Sequence, residues 1–275
     1  MADVLVTTEW LAEHIGDDGV VVAEVDENTD LYEEGHISGA FKLHWRDDLQ
    51  DALERDIVEQ AAFEELMASR GIGNDTTVVL YGDKNNWFAA YAYWYLKVYG
   101  HEDVRILDGG RQKWIDEARE LTTDVPSSRS ASYAAKPADE SIRARRDAVL
   151  AGLGDPARAL VDVRSPQEYS GELMAPPGYE QEGASRSGHI PTAQSIPWAQ
   201  AVRDDGTFKS TDELRELYAG KGVTPDKEVV AYCRIGERSA HTWFVLRELL
   251  GYPDVKNYDG SWTEWGNLVD VPIER

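Results

Sequence analysis

A single cysteine, Cys233, stands in the stretch YCRIGERSAH from Tyr232 to His241, directly after an apolar run. Arg234 and Arg238 follow it with full positive charges, and Gly236 permits a sharp turn in which successive peptide N–H groups converge on one point. Such a loop at the start of a helix makes an anion cradle. A thiol placed there is expected to have a depressed pKa and to act as a nucleophilic thiolate. Ser239 can donate a hydrogen bond to the sulfur or cap the helix. A lone cysteine is more often a small buried hydrophobe. Two arginines so close to an inert buried thiol would be costly without a partner, which points instead to an expected anion.

The elements around the loop have the periodicities this requires. KEVVAYC reads as a buried strand, and SAHTWFVLRELL, residues 239 to 250, places Ala240, Trp243, Phe244, Leu246, Leu249 and Leu250 on one helical stripe. Cys233 is therefore expected at a strand-to-helix turn, at the carboxyl end of a strand, where parallel α/β sheets bind ligands.

An internal repeat supplies a comparison for this loop. Residues 78 to 114, beginning VVLYGDKNNW, align without a gap onto residues 229 to 265, beginning VVAYCRIGER. Upstream, GHISGA answers GHIPTA, and VVAEVDE answers ALVDVRS. In the first copy Gly82 stands where Cys233 does and Asp83 where Arg234 does, so that loop lacks both nucleophile and charge. The second copy carries an insertion drawn from residues 170 to 187, rich in Gly, Pro and Ser, which reads as a loop. Short β-branched runs alternating with helical patterns predict an α/β fold in both copies. The expected division is a first domain over 1–125, a linker over 126–142 and a second, catalytic domain over 143–275.

Composition narrows the function classes. The chain has 275 residues, 51 acidic against 28 basic, for a net charge of −23. That balance disfavours nucleic acid and anionic membranes as partners. Its nine lysines against nineteen arginines make the surface similar to those screened by concentrated counterions. One cysteine forms no internal disulfide, and the six histidines are scattered, so no metal site is expected. No apolar run could span a bilayer, and the first residues lack an export-signal pattern, which predicts a cytoplasmic location.

The tandem plan, together with GHIPTAQSIPW, VVAYCRIGERSAHTWFVL and YDGSWTEW, resembles the two-domain rhodaneses, thiosulfate sulfurtransferases, over nearly the whole chain. The resemblance implies two tandem rhodanese-like domains, each a parallel sheet flanked by helices, with a catalytically inactive first domain. It implies that Cys233 carries sulfur from thiosulfate as a persulfide, releasing sulfite. Cyanide, a small thiol or a protein thiol then accepts the sulfur, with no metal or organic cofactor. Arg234 and Arg238 match the loop positions that hold the substrate anion, with Gly236 and Ser239 shaping the cradle. Vertebrate members have a further substrate-binding arginine where this chain has Glu168, and Arg164 or Arg186 is the candidate substitute.

Other readings stay open. Cysteine-dependent phosphatases place the arginine one position later than Arg238, so a tighter loop favours sulfur over a phosphoryl group. Enzymes using 3-mercaptopyruvate usually have small uncharged loops, unlike RIGER. A non-enzymatic sulfur carrier would keep the same fold. His36 and His189 occur in both copies and are expected to organise a turn, His241 to pack, and Asp162 to orient a loop or an arginine. The tryptophans, including Trp243, Trp262 and Trp265, are expected in the core.

Overall fold

A computed structural model describes residues 4–127, 130–179 and 183–275. Parts of the expected linker and of the second-copy insertion, residues 128–129 and 180–182, lie outside the described residues, as do the first three. The chain divides into two compact units, Met1–Asp139 with Val202–Phe208, and Glu140–Ala201 with Lys209–Arg275.

The first unit holds a parallel sheet of β1 (Leu5–Val6), β2 (Val20–Glu24), β3 (Phe41–Lys42), β4 (Thr77–Tyr81) and β5 (Val104–Leu107), in the order β1-β5-β4-β2-β3. The second holds β6 (Arg158–Asp162), β7 (Gln194–Ser195), β8 (Glu228–Tyr232) and β9 (Val255–Asn257), in the order β7-β6-β8-β9, again all parallel. Helices cover sheets of this kind on both faces, so the central strands read as continuous apolar runs such as VVLY and VVAY rather than as alternating patterns. Val78–Tyr81 and Val229–Tyr232 are accordingly buried throughout.

Residues 130–139, within the stretch expected as linker, run along the first unit. The N–H groups of Ala131, Lys136 and Asp139 donate to the carbonyls of Ala68, Tyr99 and Val98. In the second unit, the stripe over 239–250 is a helix from Glu237 to Phe244 followed by a π-helical turn, Val245–Leu249. The short helix Ser261–Trp265 follows β9. Trp243, Trp262 and Trp265 are fully buried, each contributing roughly 2–3 kcal/mol of apolar burial.

The repeat is visible in the register of the central strands. Glu24 lies opposite Tyr81 in β2–β4, and Asp162 opposite Tyr232 in β6–β8. Each tyrosine hydroxyl accepts the N–H of the GHI turn, Tyr81 from Ile37 at 2.9 Å and Tyr232 from Ile190 at 3.0 Å. The turn histidines bond to backbone carbonyls through Nδ1 and stack on tyrosines, His36 on Tyr32 and His189 on Tyr169. A central strand thereby holds the same turn in both units.

Candidate active site

Cys233 follows the last residue of β8, and its backbone is held by the helix that follows β9. Its N–H donates to Ser261 Oγ at 3.1 Å, and its carbonyl accepts the N–H of Trp262 at 3.1 Å. The chain then turns back over the sulfur. Gly236 N–H donates to Sγ at 3.2 Å, and Ser239 Oγ lies 3.6 Å from it. Gly236 adopts φ +97°, and a Cβ there would sit 2.7 Å from Asp259 Cα, so the return path admits only glycine. Asn257, at the end of β9, locks the turn by donating to the Gly236 carbonyl and accepting from Ser239 Oγ. Cys233, Arg234, Gly236, Arg238 and Ser239 are thus brought to one loop.

The electrostatics differ from the expectation. Arg238 is buried against Glu168 in a bidentate pair, Nη1 to Oε2 at 3.0 Å and Nη2 to Oε1 at 3.2 Å. Arg234 Nη2 lies 3.5 Å from Glu237 Oε1, with its guanidinium over the Tyr179 ring. Glu237 also reaches the sulfur, because the Cys233 thiol donates to its Oε2 at 3.1 Å.

Two carboxylates therefore oppose the two arginines, and the thiol pKa is raised rather than lowered. Burial is the largest cause, and the Glu237 charge and its hydrogen bond push the same way against the pull of Arg238. At Arg238 burial opposes the charge, but Glu168 first, then Cys233 and Glu237, hold the guanidinium protonated.

Both candidates for the extra arginine are engaged with groups of the chain itself. Arg164 is buried between the rings of Tyr232 and Trp262 and bonded to Asp162 and the Gly188 carbonyl. Arg186 donates to the carbonyls of Trp265, Gly266, Leu268 and Val271, tying the insertion to the C-terminal segment. The function of Glu168 was missed from sequence because its partner is distant in the chain. Glu237 carried a local signal, since it lies only four positions after Cys233.

Against this geometry the family comparison is decisive. The Rhodanese-like domain family matches twice, over residues 7–117 and 146–268. The chain belongs to the rhodanese family. It is 57% identical over 273 residues, 99% of this chain and 96% of the relative, to a Saccharopolyspora erythraea protein named "Putative thiosulfate sulfurtransferase". It is 60% identical, over 99% of this chain and 97% of the relative, to the sulfur carrier protein TtuD of Thermus thermophilus. Among solved structures, wild-type EanB superposes with a TM-score of 0.86 at 27% identity, covering 98% of this chain and 69% of that one.

The two rhodanese domains differ at their loops in more than residue type. At Gly82, the position matching Cys233, a Cβ would lie 2.0 Å from the Val25 carbonyl oxygen. Asp83 accepts the N–H groups of Glu27 and Asn28 at 2.7 and 3.2 Å, tying the loop to the segment after β2. Asp26 beside it is pushed up to about 9 by burial and by Glu24. The first rhodanese domain therefore presents buried acids where the second presents sulfur and arginine.

Proposed function

We propose that this rhodanese is a thiosulfate sulfurtransferase working through a persulfide on Cys233. The Cys233 sulfur, as thiolate, bonds to the outer sulfur of thiosulfate; the S–S bond of the donor breaks, and its electron pair leaves with sulfite. A thiophilic acceptor, cyanide, a small thiol or a protein thiol, then bonds to the terminal sulfur, and the Cys233 thiolate is regenerated. Atoms and charge balance in both steps.

The single observation that carries this reading is the seat of Sγ, with a Gly236 N–H on it and Ser239 Oγ beside it at the carboxyl end of β8. Developing negative charge on sulfur is stabilised there without reorganisation. Anion binding draws on Arg234 and Arg238, which requires the donor to compete with Glu237 and Glu168 for them. The names of the relatives support sulfur transfer, and a structure of EanB described as carrying a cysteine persulfide supports the intermediate. The first domain, with its loop blocked at Gly82, is assigned no chemical step.

The identity with TtuD favours a second reading, a sulfur carrier, in which the same persulfide passes to a protein acceptor. Mass spectrometry of protein treated with thiosulfate tests both. A gain of one sulfur atom, lost on adding cyanide with formation of thiocyanate and absent in Cys233→Ser, is expected. No gain in the wild type overturns the persulfide. A gain that cyanide does not discharge but a protein thiol does selects the carrier.

A further inference from the structure

We propose that Glu237 is a catalytic residue that stores the Cys233 thiol proton through the transfer cycle, taking it as the persulfide forms and returning it when the sulfur leaves. The inference rests on the persulfide reading above.

Glu237 is 1% exposed, and its Oε2 receives both the Cys233 thiol at 3.1 Å and the Ile235 N–H at 3.2 Å. Its Oε1 makes no hydrogen bond and faces Arg234 Nη2 at 3.5 Å and Arg238 Nε at 3.6 Å. The carboxylate is thus in contact with the reacting sulfur on one side and with both loop cations on the other. Glu168 lies beyond Arg238, the Tyr179 ring covers Arg234, and the Arg143–Asp259 pair lies where the Gly236 turn approaches Asp259. The Arg143–Asp259 pair is internally balanced.

A store of this kind keeps the net charge of the buried loop constant: among the described residues, Glu237 and the sulfur share one negative charge beside Arg234 and Arg238. In the resting state that charge is on Glu237 and the proton on Cys233. When thiosulfate reacts, the proton moves from Sγ to Glu237 Oε2, the Sγ–S bond forms, the donor S–S bond breaks and sulfite departs. The negative charge then lies on the persulfide, and Glu237 is neutral. Transfer of the outer sulfur to the acceptor leaves a thiolate, to which Glu237 returns the proton. The net charge of the loop is the same in both states, which avoids adding an uncompensated charge among buried groups.

Two measurements test this. In wild-type protein and alkaline, weakly buffered solution, where released sulfite stays a dianion, an indicator dye follows protons during one stoichiometric turnover with thiosulfate, while mass spectrometry counts persulfide. Persulfide with no proton released is expected; one proton per sulfur overturns the store while leaving the persulfide reading intact, and absence of persulfide overturns that reading and the cycle with it.

The second compares the pH dependence of iodoacetamide alkylation of Cys233 in the wild type and in Glu237→Gln, whose side-chain oxygen can still accept from Ile235. The alkylation midpoint is expected to fall by about one pH unit or more in the variant. An unchanged or raised midpoint shows that Glu237 only packs the loop. Should the variant fail to fold, the wild-type proton count decides alone.

Discussion

Arg238 and Glu168 form a buried, two-pronged ion pair that joins the helix after the cysteine loop to the short helix Pro166–Ser170. Glu168 is itself held in place by a capping box, in which it accepts from the Ser165 N–H and the Ser165 hydroxyl caps the helix in return. Arg238, expected from the sequence to hold a substrate anion, is therefore already engaged by an anion of the chain's own.

Removing one partner should cost more than removing both. Glu168→Met alone strands a buried guanidinium and is expected to destabilise the protein by about 3–5 kcal/mol in urea unfolding. Glu168→Met combined with Arg238→Met should recover most of that loss. Equal losses in the single and double variants would show that the pair is not acting as a unit.

His241 gives a pH dependence of stability. Burial lowers its pKa from 6.5 to about 3. The unfolded chain takes up the proton below the ordinary histidine value while the folded ring stays neutral, so the contribution is full above that value and is lost as pH falls toward the folded one. The slope expected is on the order of 1.4 kcal/mol per pH unit. Denaturant midpoints measured across this window should flatten in His241→Leu, and an unchanged slope in that variant would assign the acid sensitivity to other groups.

Gly236→Ala should damage the loop through backbone strain. Its φ is +97°, and the added Cβ meets Asp259 backbone at 2.7 Å, where no flexible side chain can move aside. Destabilisation of about 1–3 kcal/mol is expected, with a larger proportional loss of persulfide formation, because the N–H that contacts Sγ is displaced. Near-normal persulfide yield would mean that this N–H is dispensable.

Moving the nucleophile to the first domain should not move the chemistry. Gly82→Cys in a Cys233→Ser background is expected to form no thiocyanate, since the new side chain collides with the Val25 carbonyl and has Asp83 rather than arginine beside it. Recovered turnover would show that the first loop is a lapsed site by residue type alone.

Much of the architecture was legible beforehand because it depends on local patterns. The Val-Val-x-Tyr runs are buried on both faces and so announce parallel strands, and the repeat places Cys233 after one of them. Gly236 announced a turn that only glycine can make. The helix beyond was legible to Phe244, but not the π-helical turn at Val245–Leu249, which no change in apolar spacing marks. Arg186, expected as a candidate substrate-binding arginine, bonds to four carbonyls, contacts set by where the C-terminal segment runs.

By itself the sequence determined the duplicated α/β plan, the strand-to-helix seat of the one cysteine and the replacement of that cysteine and its arginine by Gly82 and Asp83 in the first copy. The charge around the sulfur was decided only by tertiary structure. Arg238 finds Glu168 across 70 positions of chain, and Glu237 turns inward to the thiol rather than outward to water. Counting cations near Cys233 in the sequence predicts a depressed thiol pKa; the folded site raises it. The reason is that electrostatic effect depends on burial and on the distance to every partner, and neither quantity is a property of residue order.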